Sequence, residues 1–124
     1  MKREEVFAFT AGCYSGEPAS CTFACPFRLD LRSFLKKAGR GRWSAAAKEL
    51  AMALPFPVVV NALCPRPCEG ACQRETVLGE EPVAIGMIES ACLRAEVKKE
   101  RAAYTLPPLA QRAAVIGAGP VGLA

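Results

Sequence analysis

The residues with evident chemistry are cysteines, and they stand in two groups. Cys13, Cys21 and Cys25-Pro26 lie near the start of the chain; Cys64-Pro65, Cys68 and Cys72 follow well downstream. These groups hold six of the seven cysteines, and the chain has no histidine. Thiolates without imidazole suit soft, polynuclear ligation, and iron–sulfur clusters are the first candidate. A structural zinc site is the plainer alternative, because zinc also favours short cysteine loops. In Cys21-x3-Cys25-Pro26 the proline turns the chain, so the last thiolate points away from its predecessor. The same spacing closes the bacterial ferredoxin run, where the cysteine before proline ligates the other cluster of a pair. Cys64-Pro65-Arg66-Pro67-Cys68-x3-Cys72 has the same character, close thiolates held by rigid turns. Each four-iron cluster takes four ligands, so six cysteines leave two places to fill in a pair.

A second motif lies at the far end, in Ala114-Val115-Ile116-Gly117-Ala118-Gly119-Pro120-Val121-Gly122. An apolar strand over Arg112 to Ile116 runs into a G-x-G-x-x-G turn. Gly117, Gly119 and Gly122 allow a tight bend and close approach of backbone N–H groups to a pyrophosphate. The motif marks the start of an FAD- or NAD(P)-binding unit. The helix after Gly122, the second strand and the ribose-binding acid about 20 residues on would fall beyond Ala124. The chain by itself is therefore expected to bind neither FAD nor a nicotinamide cofactor, and to be a truncated part of a larger protein.

Around these motifs the elements read as helices joined by long loops. Residues 1–28 read as loop with short turns. Leu29 to Lys37 reads as a short helix, with Leu31, Phe34 and Leu35 at helical spacing, ended by Gly39-Arg40-Gly41. Ser44 is an N-cap candidate for a second helix, Ala45 to Leu54, stopped before Pro55. Residues 55–82 read as Pro- and Gly-punctuated loop, with one helical turn around Cys68 to Gln73. A longer helix follows from Pro82 to about Ala103, its apolar face made by Ile85, Ile88, Cys92 and Ala95. Tyr104 to Gln111 is a linker. Cys92 reads as a core residue, since free cysteine is among the most buried types, with a compensating metal ligand as the alternative, and Trp43 is assigned to packing.

The bulk numbers bound the function. A chain of 124 residues supports one core. With 52% hydrophobic and 23% charged residues it is an ordinary globular composition. The net charge of +4 is too small and dispersed to argue for nucleic acid. No stretch reaches the roughly 18 apolar residues of a membrane span, and Met1-Lys2-Arg3-Glu4-Glu5 lacks the apolar run of a signal peptide. A cytoplasmic, reducing compartment is expected, where clustered cysteines are metal ligands rather than disulfides. No residue stands out as a general acid, general base or nucleophile.

In order along the chain, these motifs resemble a known family. It is the N-terminal helical double-cluster domain shared by the glutamate synthase small subunit and dihydropyrimidine dehydrogenase. The residues that carry the likeness are Cys13, Cys21, Cys25-Pro26, Leu29 to Leu35, Pro55-Phe56-Pro57, Leu63-Cys64-Pro65, Cys68-Glu69 and Cys72. Pro82-Val83-Ala84-Ile85-Gly86-Met87-Ile88-Glu89 and the Gly117 to Gly122 turn complete it. The resemblance implies one cluster on Cys13, Cys21, Cys72 and the residue at position 16, and another on Cys25, Cys64, Cys68 and the carboxylate of Glu89. Position 16, a cysteine in the family pattern, is Gly16 here. The first set therefore has three thiolates, which leaves a three-iron cluster, a four-iron cluster with an outside ligand, or no cluster. Leu54 and Asn61 also replace the Asn and Gly of the family's middle segment.

The resemblance implies an all-α iron–sulfur domain over 1–104, a linker over 105–111, and the start of a Rossmann-type unit over 112–124. Its expected role is to pass electrons between flavin and a partner redox site in an FAD- and NAD(P)H-dependent oxidoreductase. The partners would be the remainder of the flavoprotein and a second redox subunit, with neither nucleic acid nor membrane. The competing reading is a degenerate structural or docking module with one cluster or a zinc site.

Overall fold

A computed structural model describes residues 2–11, 13, 19–96 and 114–119. These residues form helices and loops, with no strand among them. The helices are α1 (Arg3–Ala11), α2 (Ser20–Ala24), α3 (Leu31–Gly39), α4 (Trp43–Ala53), α5 (Pro57–Leu63), α6 (Pro67–Gly70), α7 (Gln73–Leu78) and α8 (Ile85–Glu96).

The core lies where α3, α4 and α8 meet, and α1 covers α3. Helix α3 buries Leu31, Phe34, Leu35 and Ala38, a spacing that puts one apolar stripe on the core side. Asp30 caps it, its carboxylate accepting from the Ser33 N–H at 3.0 Å, an interaction worth about 1 kcal/mol. Lys36 and Lys37 in its last turn oppose the negative end of the helix dipole. Small residues let α4 approach closely: Ala46, Ala47 and Leu50 are buried. Lys37 on α3 meets Glu49 on α4 at 2.8 Å; the pair is partly exposed and contributes less than about 1 kcal/mol. Helix α8 closes the core with Ile85, Ile88, Cys92 and Leu93. Gly39 is required where α1 crosses α3, because a Cβ there would stand 2.5 Å from Thr10 Oγ1.

Several expectations need correction. Residues 1–28 contain two helices, α1 and α2, rather than only loop. Helix α1 carries little periodicity to read, since Val6 is buried while its neighbour Phe7 is exposed. The segment 55–82 contains α5, α6 and α7. Its prolines, taken as loop formers, start helices: Pro57 and Pro67 occupy first-turn positions, each after a left-handed residue, Phe56 or Arg66. Helix α3 begins two residues later than expected, because Asp30 rather than an earlier residue caps it. Helix α4 begins at Trp43 after Arg42, so Ser44 lies inside it and is not its cap. Pro82 precedes α8, which starts at Ile85. Ala95 is exposed, and Leu93 is buried in its stead.

Of the expected strand, Arg112 and Ala113 lie outside the described residues. Residues 114–118 have no regular structure, and Ile116 is 99% exposed. Gly117 has a positive φ of 121° and Gly119 has open space around it. Gly122, the linker over 105–111 and the end of the long helix beyond Glu96 lie outside the described residues, as does Gly16.

Candidate metal centre

Three of the cysteines flank helices. Cys25 follows α2, Cys64 follows α5, and Cys72 precedes α7, each in an extended conformation. For Cys25 and Cys64 the following proline gives the reason. Its ring excludes the helical region for the residue before it, so each cysteine leaves its helix at ψ 123° and 127° respectively. The backbone stays anchored meanwhile: the Cys25 N–H donates to Cys21 O at 3.2 Å and the Cys64 N–H to Val60 O at 2.9 Å. Cys68 is buried in the single turn of α6.

Cys25, Cys64, Cys68 and Glu89 line one cavity of about 640 Å³. They come from α2, α5, α6 and α8, so the cavity exists only when all four helices are in place. Glu89 reaches it because α8 turns its Ile85–Ile88 face to the core and its Glu89 side toward α5. The mouth is apolar, with Phe27, Phe56, Val59 and Leu63 exposed beside it.

Burial and neighbouring charge act on the buried thiols. Burial pushes the Cys68 thiol up to about 12, helped by the negative charges of Glu89, Glu69, Cys25 and Cys64. Burial also raises the Cys21 thiol, and here the charged neighbours are Cys13 and Cys72. Helix α2 carries Cys21 in its first turn and Cys25 just after its end. Glu89 is raised as well, by burial, with the Asn61 hydrogen bond and the Arg66 charge opposing the shift. Uncompensated thiolates and carboxylate are thus disfavoured in both places, and a bound cation would reverse the balance.

The donor set of this cavity fits an iron–sulfur cluster: three thiols and a carboxylate around a space far larger than one ion. Among the described residues, no group of three or more Cys, Asp or Glu stands gathered tightly enough to hold a single metal ion in this structure. The Arg66 N–H donates to Cys64 Sγ at 3.4 Å, the kind of contact that tunes a cluster's potential. The first set has three thiols among the described residues. Cys92 is 0% exposed in the core, with its thiol raised to about 11 by burial and then by Glu89. Trp43 packs at the edge of the core with a buried indole N–H that has no hydrogen-bond partner among the described residues.

Sequence reading missed the group behind Glu89. Asn61 Nδ2 donates to Glu89 Oε2 at 2.8 Å and to Gly86 O at 3.2 Å, while Ser90 Oγ donates to Asn61 Oδ1 at 2.7 Å. Glu69 Oε1 accepts from the Gly86 N–H at 2.8 Å. The available signal was a single polar residue, Asn61, following Val58-Val59-Val60.

Comparison with known proteins agrees with this chemistry. Residues 1–101 match the family described as dihydropyrimidine dehydrogenase domain II, 4Fe-4S cluster. The chain is 30% identical to glutamate synthase [NADH] of Schizosaccharomyces pombe, an alignment that covers 100% of this chain and 6% of that protein. It is 36% identical to the glutamate synthase [NADPH] small chain of Mycobacterium tuberculosis, covering 84% of this chain and 21% of the relative. It is 29% identical to the NADPH-Fe(3+) oxidoreductase subunit beta of Geobacter sulfurreducens, covering 86% and 16%. The chain therefore spans about a fifth or less of the length of these relatives. No single helix among the described residues is long and apolar enough to cross a membrane. With the family matched over most of its length, this chain belongs to the 4Fe-4S cluster domains of the dihydropyrimidine dehydrogenase domain II type.

Proposed function

We propose that this chain is the electron-transfer portion of an FAD- and NAD(P)H-dependent oxidoreductase similar to the glutamate synthase small subunit. The observation that carries the reading is the cavity shared by Cys25, Cys64, Cys68 and Glu89. In this reading those four residues hold one cluster, and Cys13, Cys21 and Cys72 hold a second that has one ligand fewer. Bound clusters supply one-electron redox chemistry between a flavin and a partner site. The protein's own part is to place the donors, shield them from water and set the potential.

Three features support that division of labour. Cys68 is buried and Cys25 and Cys64 are held at helix ends, which places the donors around one space. Arg66 offers a backbone N–H to Cys64 Sγ and its positive charge acts on Glu89. The exposed apolar rim of Phe27, Phe56, Val59 and Leu63 suits a covering surface, which we assign to the remainder of the flavoprotein. The domain limits follow the same reading: cluster domain over 1–104, linker over 105–111, and the opening of a nucleotide-binding unit over 112–124, with Gly117, Gly119 and Gly122 in its turn.

Anaerobic reconstitution with iron and sulfide tests the proposal. Iron and acid-labile sulfide should be taken up in about equal amounts, with broad visible absorbance that bleaches on reduction and an EPR signal in the reduced state. A colourless protein that binds zinc and no labile sulfide would leave only a structural or docking module.

A further inference from the structure

Helix α5 is turned inside out. It exposes Val58, Val59 and Leu63, while Asn61 is only 7% exposed. Apolar burial cannot explain this orientation, since three apolar side chains are left in water to bury an amide. The compensation is a complete set of polar contacts. Both Nδ2 hydrogens are used, one on Glu89 Oε2 at 2.8 Å and one on Gly86 O at 3.2 Å, and Oδ1 accepts from Ser90 Oγ at 2.7 Å. The chemistry of the partners fixes the amide's sense. A carboxylate and a carbonyl can only accept, so the NH2 must face them.

We propose that Asn61 is a positioning residue, which holds the Glu89 carboxylate by Oε2 and so leaves Oε1 to meet the metal in the cavity. The inference rests on the reading of Glu89 as a ligand. Three partners on α8, at residues 86, 89 and 90, grip the amide from one turn of helix, so Asn61 cannot rotate without breaking the others. The Asn61 bond goes to Oε2 and not to Oε1, and Glu89 lines the cavity. On the other side, Glu69 takes the Gly86 N–H at 2.8 Å from the helix that also carries Cys68. The peptide groups of Gly86 are thereby held from both α5 and α6, which sets Glu89 against Cys68. Outer groups of this kind orient a ligand and set its basicity, and losing one costs about 10–100-fold in metal affinity.

The test uses the full 124-residue chain, reconstituted anaerobically with iron and sulfide, in four forms: parent, Asn61→Ala, Glu89→Ala and the double variant. The readouts are the midpoint potential, the EPR spectrum of the reduced cluster, and the rate of iron loss to a chelator. Asn61→Ala should lower the potential, because the carboxylate loses a donor and gives more charge to iron. It should also alter the EPR line shape and speed iron loss by about 10–100-fold. In the Glu89→Ala background the same substitution should shift nothing further. Ser90→Ala, which frees Oδ1 without emptying the site, should move the potential the same way by less. It carries the test if Asn61→Ala does not fold.

An Asn61→Ala shift that persists in the Glu89→Ala background would mean that Asn61 acts through the fold, and would overturn the inference. So would an unchanged potential and spectrum in Asn61→Ala and Ser90→Ala while Glu89→Ala changes both; the reading of Glu89 would then stand alone. Parent-like potential, spectrum and iron retention in Glu89→Ala would remove that reading, and the inference with it.

Discussion

The side chain of Arg66 lies across Gly86. A Cβ at position 86 would stand 2.5 Å from Arg66 Nε and 2.9 Å from its Cζ, so α8 can begin beneath the arginine only with a glycine there. Arg66 itself sits in the left-handed region at φ 57°, between Pro65 and Pro67. The arrangement brings a positive charge near Glu89 and a backbone N–H to Cys64 Sγ.

We expect Gly86→Ala to displace the guanidinium rather than the helix, because the obstructing atoms belong to a flexible side chain. Alanine favours a helix over glycine by about 1 kcal/mol, so the metal-free chain should change little in stability. The reconstituted chain should show a lower cluster potential, because a cation has moved away. Thermal unfolding and a redox titration would check both. A stability loss of more than about 3 kcal/mol would mean that the backbone, not Arg66, gives way.

Metal-free and reconstituted chains should respond to alkali in opposite ways. The folded-state thiols of Cys68 and Cys92 titrate at about 12 and about 11, against 9.0 for a free thiol, and Cys21 is raised too. Between pH 9 and the folded values the native chain binds more protons than the unfolded one, so stability falls as pH rises. Below pH 9 that contribution is fully present. Metal uptake on the proposed ligand sets displaces the protons of Cys68 and Cys21 but not that of Cys92, so affinity should climb with pH across the range where the fold survives. Denaturant melts of both forms at several pH values would show the contrast. Parallel pH profiles for the two forms would contradict it.

Cys92 should prove dispensable for iron. We expect Cys92→Ala to keep the iron and sulfide content of the parent and to cost on the order of 1 kcal/mol, through the small void it leaves in the core. Loss of a cluster's worth of iron would instead make Cys92 a ligand, next to Glu89 on the same helix.

The first set invites a gain. Because Cys13, Cys21 and Cys72 supply three thiols, we expect Gly16→Cys to slow iron loss to chelators and oxygen from that set. Faster loss than in the parent would show that the added side chain or the assumed ligand position is wrong.

The cysteine spacing was legible because proline acts locally. Pro26 and Pro65 force the residue before them out of the helix, and that constraint is written in adjacent letters. The core faces of α3 and α8 were legible for a similar reason, since Phe34, Leu35, Ile85 and Ile88 repeat at helical spacing. Helix α5 was hidden, and α6 was read only as a turn around Cys68 to Gln73, because Pro57 and Pro67 break structure in one context and start it in another, and the difference lies in the left-handed Phe56 and Arg66. The amide of Asn61 could not be read in advance. Its partners are 25, 28 and 29 residues away, and nothing local says that a run of valines will face outward.

One of the shortest supporting elements has the widest influence. Helix α2 has five residues, with Cys21 within it and Cys25 at its end; a helix of that length has too few hydrogen bonds to persist alone. It is tied to α3 by the Leu31 N–H, which donates to Thr22 Oγ1 at 3.3 Å, and it packs on α6. On the proposed ligand sets, each centre would depend on the other to keep this turn wound. Assembly would then be an avalanche more than a tally: the first metal to arrive orders the spindle for the second, and the loss of either unthreads both.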